Sequence, residues 1–205
     1  MIFKPQNAIL PQITETEDNI TKTYDPFSGL LKDRVILIEN QVNTDMASSV
    51  IAQLLLLEKQ DPDAEITIYI NSPGGSVMDG LAIADTMEFI SCPVRTVGMG
   101  MQASMGSFLL ASGTPGMRHM LRRSQIMIHR LSSAVEGDYH SMESNWRHVE
   151  NLHGLLVEEY ARMSQGKKTK KEFEELMRYD NWLTAEEAIE YGIIDSIISS
   201  RKDNK

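Results

Sequence analysis

Apolar positions along this chain follow two rhythms, and the switches between them lay out the elements. The stretch RVILIEN, residues 34–40, is a nearly unbroken apolar run and reads as a buried strand. In MASSVIAQLLLLEKQ the rhythm changes: Met46, Val50, Leu54 and Leu57 recur at helical spacing, and Asn43, Thr44 and Asp45 stand ahead of them as N-cap candidates. EITIYINS (65–72) is rich in β-branched residues and predicts a second strand. SVMDGLAIADTMEFI (76–90) predicts a helix, with Val77, Leu81, Ala84 and Ile90 among its apolar positions. VRTVGMG (94–100) is a third strand, and a short helix follows from Ser104. QIMIH (125–129) is a fourth strand that ends on a histidine.

The pattern then turns polar. Residues 138–164 predict a long helix carrying His140, His148 and His153, the last two expected to face solvent. TKKEFEELM predicts a short helix capped by Thr169. TAEEAIEYG predicts another, opened by a capping box of Thr184 and Glu187 and ended by Gly192. IIDSII is the last strand. Strands alternating with helices, in recurring strand–strand–helix units, give an α/β fold. Residues 1–29 lack periodicity and carry Pro5, Pro11 and Pro26, so a mobile or loop-like N-terminal segment is expected there. Residues 30–199 form the expected single domain, and 200–205 a solvated tail.

Composition narrows the function classes. The chain has 205 residues, 41% apolar and 24% charged, enough for a sizeable core. Its single cysteine, Cys92, forbids an intrachain disulfide and fits a reducing compartment; Cys92 itself reads as a small core residue. Net charge is −9, and the basic runs Arg122–Arg123 and Lys167–Lys171 are short, which argues against nucleic acid and anionic membrane as partners. No apolar stretch approaches the ~20 residues that span a bilayer. The N-terminus lacks the apolar run of a secretory signal, so the expected location is cytoplasmic.

Two glycine-bearing turns, NSPGGSV and GMGMQASMG, interrupt strand-to-helix transitions. Glycine there permits positive φ and bare backbone N–H groups, and a helix N-terminus adds unpaired donors suited to a developing oxyanion. Neither turn is a dinucleotide fingerprint or a phosphate loop. Ser104 stands at the second turn, where it is a space-filling residue, a helix cap or a nucleophile. A nucleophilic serine needs a base, and the base an orienting acceptor. His129, at the end of an apolar strand, is the best base; His119 lies earlier in the same region. Asp180, in MRYDNWLTA, is the leading acid, with a helix-flanking cap as its ordinary role; Asp195 is the other acid considered, or an edge charge. Gln102 breaks the Gly-x-Ser-x-Gly elbow of α/β-hydrolases. Ser104, Asp138 and His153 would follow the hydrolase order, but both partners lie on or beside a helix that reads as solvated.

YINSPGGSV, ASMGSFLLASG, SQIMIH and LTAEEAIEYGIIDSI, with VIAQLLLLEKQDPD before them, closely resemble the caseinolytic (Clp) protease proteolytic subunit family, over about residues 8–199. The resemblance implies a Clp/crotonase-type fold of repeated strand–strand–helix turns with a projecting handle helix, here at about 130–165. It implies a serine peptidase with Ser104, His129 and Asp180 as catalytic residues, and the backbone N–H groups of Gly75 and Met105 as oxyanion hole. It implies two stacked heptameric rings, homomeric or mixed, enclosing a chamber that is fed unfolded polypeptides by an AAA+ unfoldase. Residues 1–29 then correspond to axial loops, and Tyr69, Phe89, Met99 and Leu121 to the apolar docking positions for the unfoldase. No metal or organic cofactor is implied, and ATP is consumed by the partner. The chain departs from the family pattern in HRLSSAVEG, where Gln-Pro and glycines usually follow the histidine, in GMQAS for the usual GQAAS, and at Tyr179, where an arginine is common. Two rival readings follow: a catalytically idle ring subunit that needs a paralogous partner, and a crotonase-type acyl-CoA enzyme.

Overall fold

The computed structural model describes residues 11–17, 20–132 and 137–200. Residues 1–10 of the N-terminal segment, 133–136 of HRLSSAVEG and 201–205 of the tail lie outside the described residues. In chain order the elements are strands β1 (Ile13–Glu17) and β2 (Ile20–Tyr24), helix α1 (Pro26–Lys32), strand β3 (Val35–Glu39), helix α2 (Thr44–Gln60), strand β4 (Ile66–Ser72), helix α3 (Val77–Phe89), strand β5 (Val94–Ala103) and helix α4 (Met105–Ala111). Strands β6 (Arg118–Leu121) and β7 (Gln125–Ile128) follow, then helices α5 (Tyr139–Met163) and α6 (Lys170–Leu176), strand β8 (Asn181–Leu183), helix α7 (Ala185–Glu190) and strand β9 (Ser196–Ile198).

The fold is α/β, built on a mostly parallel sheet. Among the described residues β3, β4, β5, β6 and β9 lie side by side in that order, all parallel. The far end of β5 leaves this row and pairs with β7, to which β8 runs antiparallel. Alternation along β4 buries Ile66, Ile68, Ile70 and Ser72 on the face covered by helices, while Thr67 and Tyr69 are half-buried on the other face. Met46, Val50, Leu54 and Leu57 of α2 all enter the core, as their spacing requires. Cys92 is buried in the same core.

Capping follows the sequence closely. The Asn43 side chain accepts from the Met46 N–H at 3.0 Å to open α2, and Thr169 and Thr184 each close a capping box, with Glu172 and Glu187. Because the Asn43 carboxamide satisfies a first-turn donor, Asn43→Ala is expected to cost about 1 kcal/mol, read as a lowered urea midpoint at unchanged slope.

Several elements differ from the patterning. The N-terminal stretch holds a β-hairpin, β1 against β2, whose threonine-rich strands carry too few apolar residues to register as a pattern. The third strand does not stop at Gly100 but runs on to Ala103, bent where Gly100 takes φ +70° and a register shift falls between Ile70 and Ser72. Strands β6 and β8 are only four and three residues long and hold polar residues, so periodicity missed them. His153 does not face solvent: it is buried, with Nε2 3.5 Å from Glu174 Oε1, because α5 docks onto the body from that turn onward. By contrast residues 139–152 of α5 bury no side chain, which leaves that half of the helix unpacked by this chain.

Candidate active site

The bend in β5 delivers Ser104 to the seam between β7 and α4. Its N–H donates to the Met127 carbonyl at 2.8 Å, which fixes it to β7. Its backbone sits at φ +54°, ψ −122°, a region that costs a non-glycine residue roughly 1–3 kcal/mol. Ser104 stands at the N-cap of α4 yet makes no side-chain capping bond. The hydroxyl is therefore not spent on the helix; it turns to His129, whose Nε2 is 2.9 Å from Ser104 Oγ.

His129 directly follows β7, so the strand that anchors Ser104 also aims the imidazole. On the far side of the ring, Nδ1 lies 3.4 Å from Asp180 Oδ1. Asp180 immediately precedes β8, and the pairing of Ile128 with Asn181 brings the two residues together. The carboxylate is 70% exposed and the contact is longer than a well-formed N–H···O bond. Three groups scattered over the chain thus stand in one row, hydroxyl to imidazole to carboxylate. That row can shift a proton from Ser104 to His129 with the carboxylate facing the resulting charge.

The other wall comes from NSPGGSV. Gly74 takes φ +89°, and a Cβ there would meet Ala103 O at 2.6 Å and Ser104 Cβ at 2.7 Å. Only glycine lets the two turns approach this closely. A bridge between Val42 and Gly75 uses the Gly74 carbonyl (from Val42 N–H) and the Ser76 N–H (to Val42 O), which leaves the Gly75 N–H outside the ladder. Met105 opens α4, so its N–H is one of the first-turn donors that no helical carbonyl reaches. Gly75, Met105, Ser104 and His129 all border one cavity of about 50 Å³, closed by apolar side chains that include Leu156 and Met177.

A model described as Clp protease matches residues 17–201. The chain belongs to the Clp protease family. The Clp match spans every residue of the row, both glycine turns and the helix that carries Tyr160.

Within this Clp-family fold, the alternative partners for Ser104 have other work. Asp138 caps α5, accepting from the His140 and Ser141 N–H groups at 3.0 and 3.1 Å. Asp195 pairs with Arg118. His119 stands between Arg95 (Nε2 to Nη1, 2.8 Å) and Ser196 (Nδ1 to Oγ, 2.8 Å). Its pKa is lowered by burial and by the Arg95 charge, which favours the neutral ring that accepts from Arg95 and donates to Ser196. Of the four apolar positions expected to contact an unfoldase, Tyr69, Met99 and Leu121 share the sheet face away from the helices by strand parity, since Tyr69 pairs with Val97 and Val97 with His119. None of the three is buried, and Phe89, at the end of α3, is 81% exposed. Patterning missed Ser107 and Tyr160, which also stand at the site; Tyr160 sits four residues after Leu156 on the same buried stripe of α5.

Proposed function

We propose that this chain is a serine endopeptidase subunit of a self-compartmentalised ring protease. In this reading it degrades unfolded polypeptides delivered by an AAA+ unfoldase in the cytoplasm. The observation that carries the chemistry is the 2.9 Å contact between His129 Nε2 and Ser104 Oγ, made by a serine in a strained backbone conformation. Membership of the Clp protease family supports a peptidase. No helix among the described residues is long and apolar enough to cross a membrane.

In this reading each group has one step to perform. Ser104 Oγ attacks the scissile carbonyl carbon while its proton passes to His129 Nε2. The tetrahedral oxyanion takes hydrogen bonds from the Gly75 and Met105 N–H groups. Collapse breaks the C–N bond, the leaving amine takes the proton from His129, and an ester remains on Ser104. Water, losing its proton to the same imidazole, then hydrolyses the ester. Asp180 holds Nδ1 protonated, which keeps Nε2 free to accept. The half-buried Tyr69 and Met99 and the exposed Phe89 and Leu121 are the proposed contacts for the unfoldase, and the exposed half of α5 is the proposed contact between rings.

A second reading has its own observation: the 3.4 Å gap at a carboxylate open to solvent. In that reading the subunit is weak or idle alone and becomes competent beside a paralogous subunit, which would tighten Asp180 onto His129. Peptide hydrolysis and particle size, measured on the same sample with and without a paralogous subunit, separate the two. Hydrolysis by rings of this chain alone supports the first reading; rings that gain activity only on mixing support the second. In either case Asp180→Asn is expected to lower kcat by at least about 10²-fold, because the imidazole loses its fixed tautomer. An unchanged kcat would remove Asp180 from the mechanism.

A further inference from the structure

The peptide unit between Ser104 and Met105 has two working ends. Its N–H is the Met105 donor proposed for the oxyanion. Its C=O, on Ser104, points into α4 and accepts from the Ser107 N–H at 3.0 Å, the Phe108 N–H at 3.2 Å and the Ser107 hydroxyl at 2.7 Å. The two backbone bonds are ordinary for a helix start. The hydroxyl bond leads elsewhere: Ser107 Oγ is also 2.7 Å from the Tyr160 hydroxyl, and both residues are buried. Ser107 has one hydroxyl proton and gives it to the Ser104 carbonyl, so the Tyr160 O–H donates to Ser107. Burial drives the Tyr160 pKa upward, against the opposing pull of the Ser107 bond, so the phenol keeps its proton. The ring is held edge-on to Phe108 at 5.4 Å between centroids and stacked on Phe173 at 5.6 Å.

We propose that Tyr160 and Ser107 are positioning residues, a hydroxyl relay by which the long helix α5 fixes and polarises the peptide whose N–H stabilises the oxyanion. The relay acts in two ways. It holds Ser104 at its positive φ, a conformation that persists only where its surroundings over-determine it. It also places an extra donor on the carbonyl of the peptide, which strengthens the N–H at the other end through hydrogen-bond cooperativity. Because Tyr160 lies on α5, a shift of that helix along its axis would reach the oxyanion donor directly. The inference rests on Ser104 being the nucleophile.

The test uses the full-length chain as Tyr160→Phe, Ser107→Ala and the double variant. Tyr160→Phe keeps the ring packing and removes only the hydroxyl. Each single variant is expected to lower kcat for a fluorogenic peptide by about 5- to 20-fold, a fraction of the loss on removing a whole oxyanion donor. KM should stay within about twofold, because the relay acts on the transition state. Affinity for a peptide aldehyde, whose adduct carries the tetrahedral oxygen, should fall by the same factor as kcat. The double variant should be no slower than the slower single, since the two hydroxyls act as one unit. Variants that lose thermal stability with kcat and aldehyde affinity unchanged would show a packing role only and overturn the proposal. So would losses that multiply in the double variant. A wild-type chain that neither hydrolyses peptides nor binds the aldehyde, alone or with a paralogous subunit, would instead overturn the reading of the site itself.

Discussion

Ser104→Ala is expected to remove peptide hydrolysis, lowering kcat by at least about 10⁴-fold, with fold and particle size unchanged. The residual rate would come from substrate binding and the oxyanion donors, which this substitution leaves in place. The size of the loss follows from what the hydroxyl does here. It makes no capping bond to α4, so its removal takes nothing from the helix. Its polar partner is His129 Nε2, at 2.9 Å. An alanine at φ +54° carries the same backbone strain that Ser104 already bears. The variant should therefore separate chemistry from stability: a flat activity trace beside an unchanged melting curve. A fall in both would mean that the hydroxyl is part of the packing.

The second large effect lies away from the chemistry. Arg118 is only 2% exposed and its guanidinium grips Asp195 with two nitrogens, Nε to Oδ2 at 3.0 Å and Nη2 to Oδ1 at 2.7 Å. Nη1 donates to the Met163 carbonyl at the end of α5, at 2.7 Å, and to the Ala111 carbonyl at the end of α4, at 3.4 Å. Asp195 also accepts from the Gly116 and Arg118 N–H groups at 2.8 and 3.0 Å. One pair, a buried Arg118 and a half-buried Asp195, thus ties β6, the turn before β9 and the ends of two helices. Arg118→Met leaves the carboxylate without its counter-charge, and the expected cost is about 3–5 kcal/mol. The urea midpoint should drop at unchanged slope, and Asp195→Asn added to Arg118→Met should recover part of the loss.

The same pair gives a pH dependence. Burial pulls the Asp195 pKa upward, but the Arg118 bonds and charge outweigh it, and the carboxyl sits below its ordinary value. A depressed folded-state pKa means that the stabilisation is fully present above the unfolded carboxylate value, near ~3.9, and is lost as pH falls through the folded one. Wild-type protein should therefore lose more stability between neutral and strongly acidic pH than Asp195→Asn does.

Much of this was legible in the chain, for definable reasons. The strand-to-helix alternation, the α2 stripe of Met46, Val50, Leu54 and Leu57, the cap at Thr169 and the capping box at Thr184 are local patterns, and local patterns survive folding. Ser104, His129 and Asp180 were legible as types at element ends. Their convergence depends on the pairing of β7 with the end of β5 and with β8, which no local pattern encodes. Strand β8, with a Trp182 that is half-exposed, carried no alternation to reveal it. His153 was misplaced because a polar helix reads as solvated along its whole length, whereas α5 is bare over its first half and buried over part of its second. Asp195 read as an edge charge because its partner, Arg118, lies 77 positions away.

Whether Ser104 is a nucleophile activated by His129 is tested by the site of covalent labelling by a fluorophosphonate, located by peptide mapping in the mass spectrometer. The reagent reacts with a serine only where a base has activated it and amides receive the phosphoryl oxygen. The expected result is one adduct per chain, on Ser104, absent from Ser104→Ala and sharply slowed in His129→Ala. An adduct on a different residue would remove Ser104 as the nucleophile, and labelling of Ser104 that proceeds unchanged without His129 would remove His129 as its base.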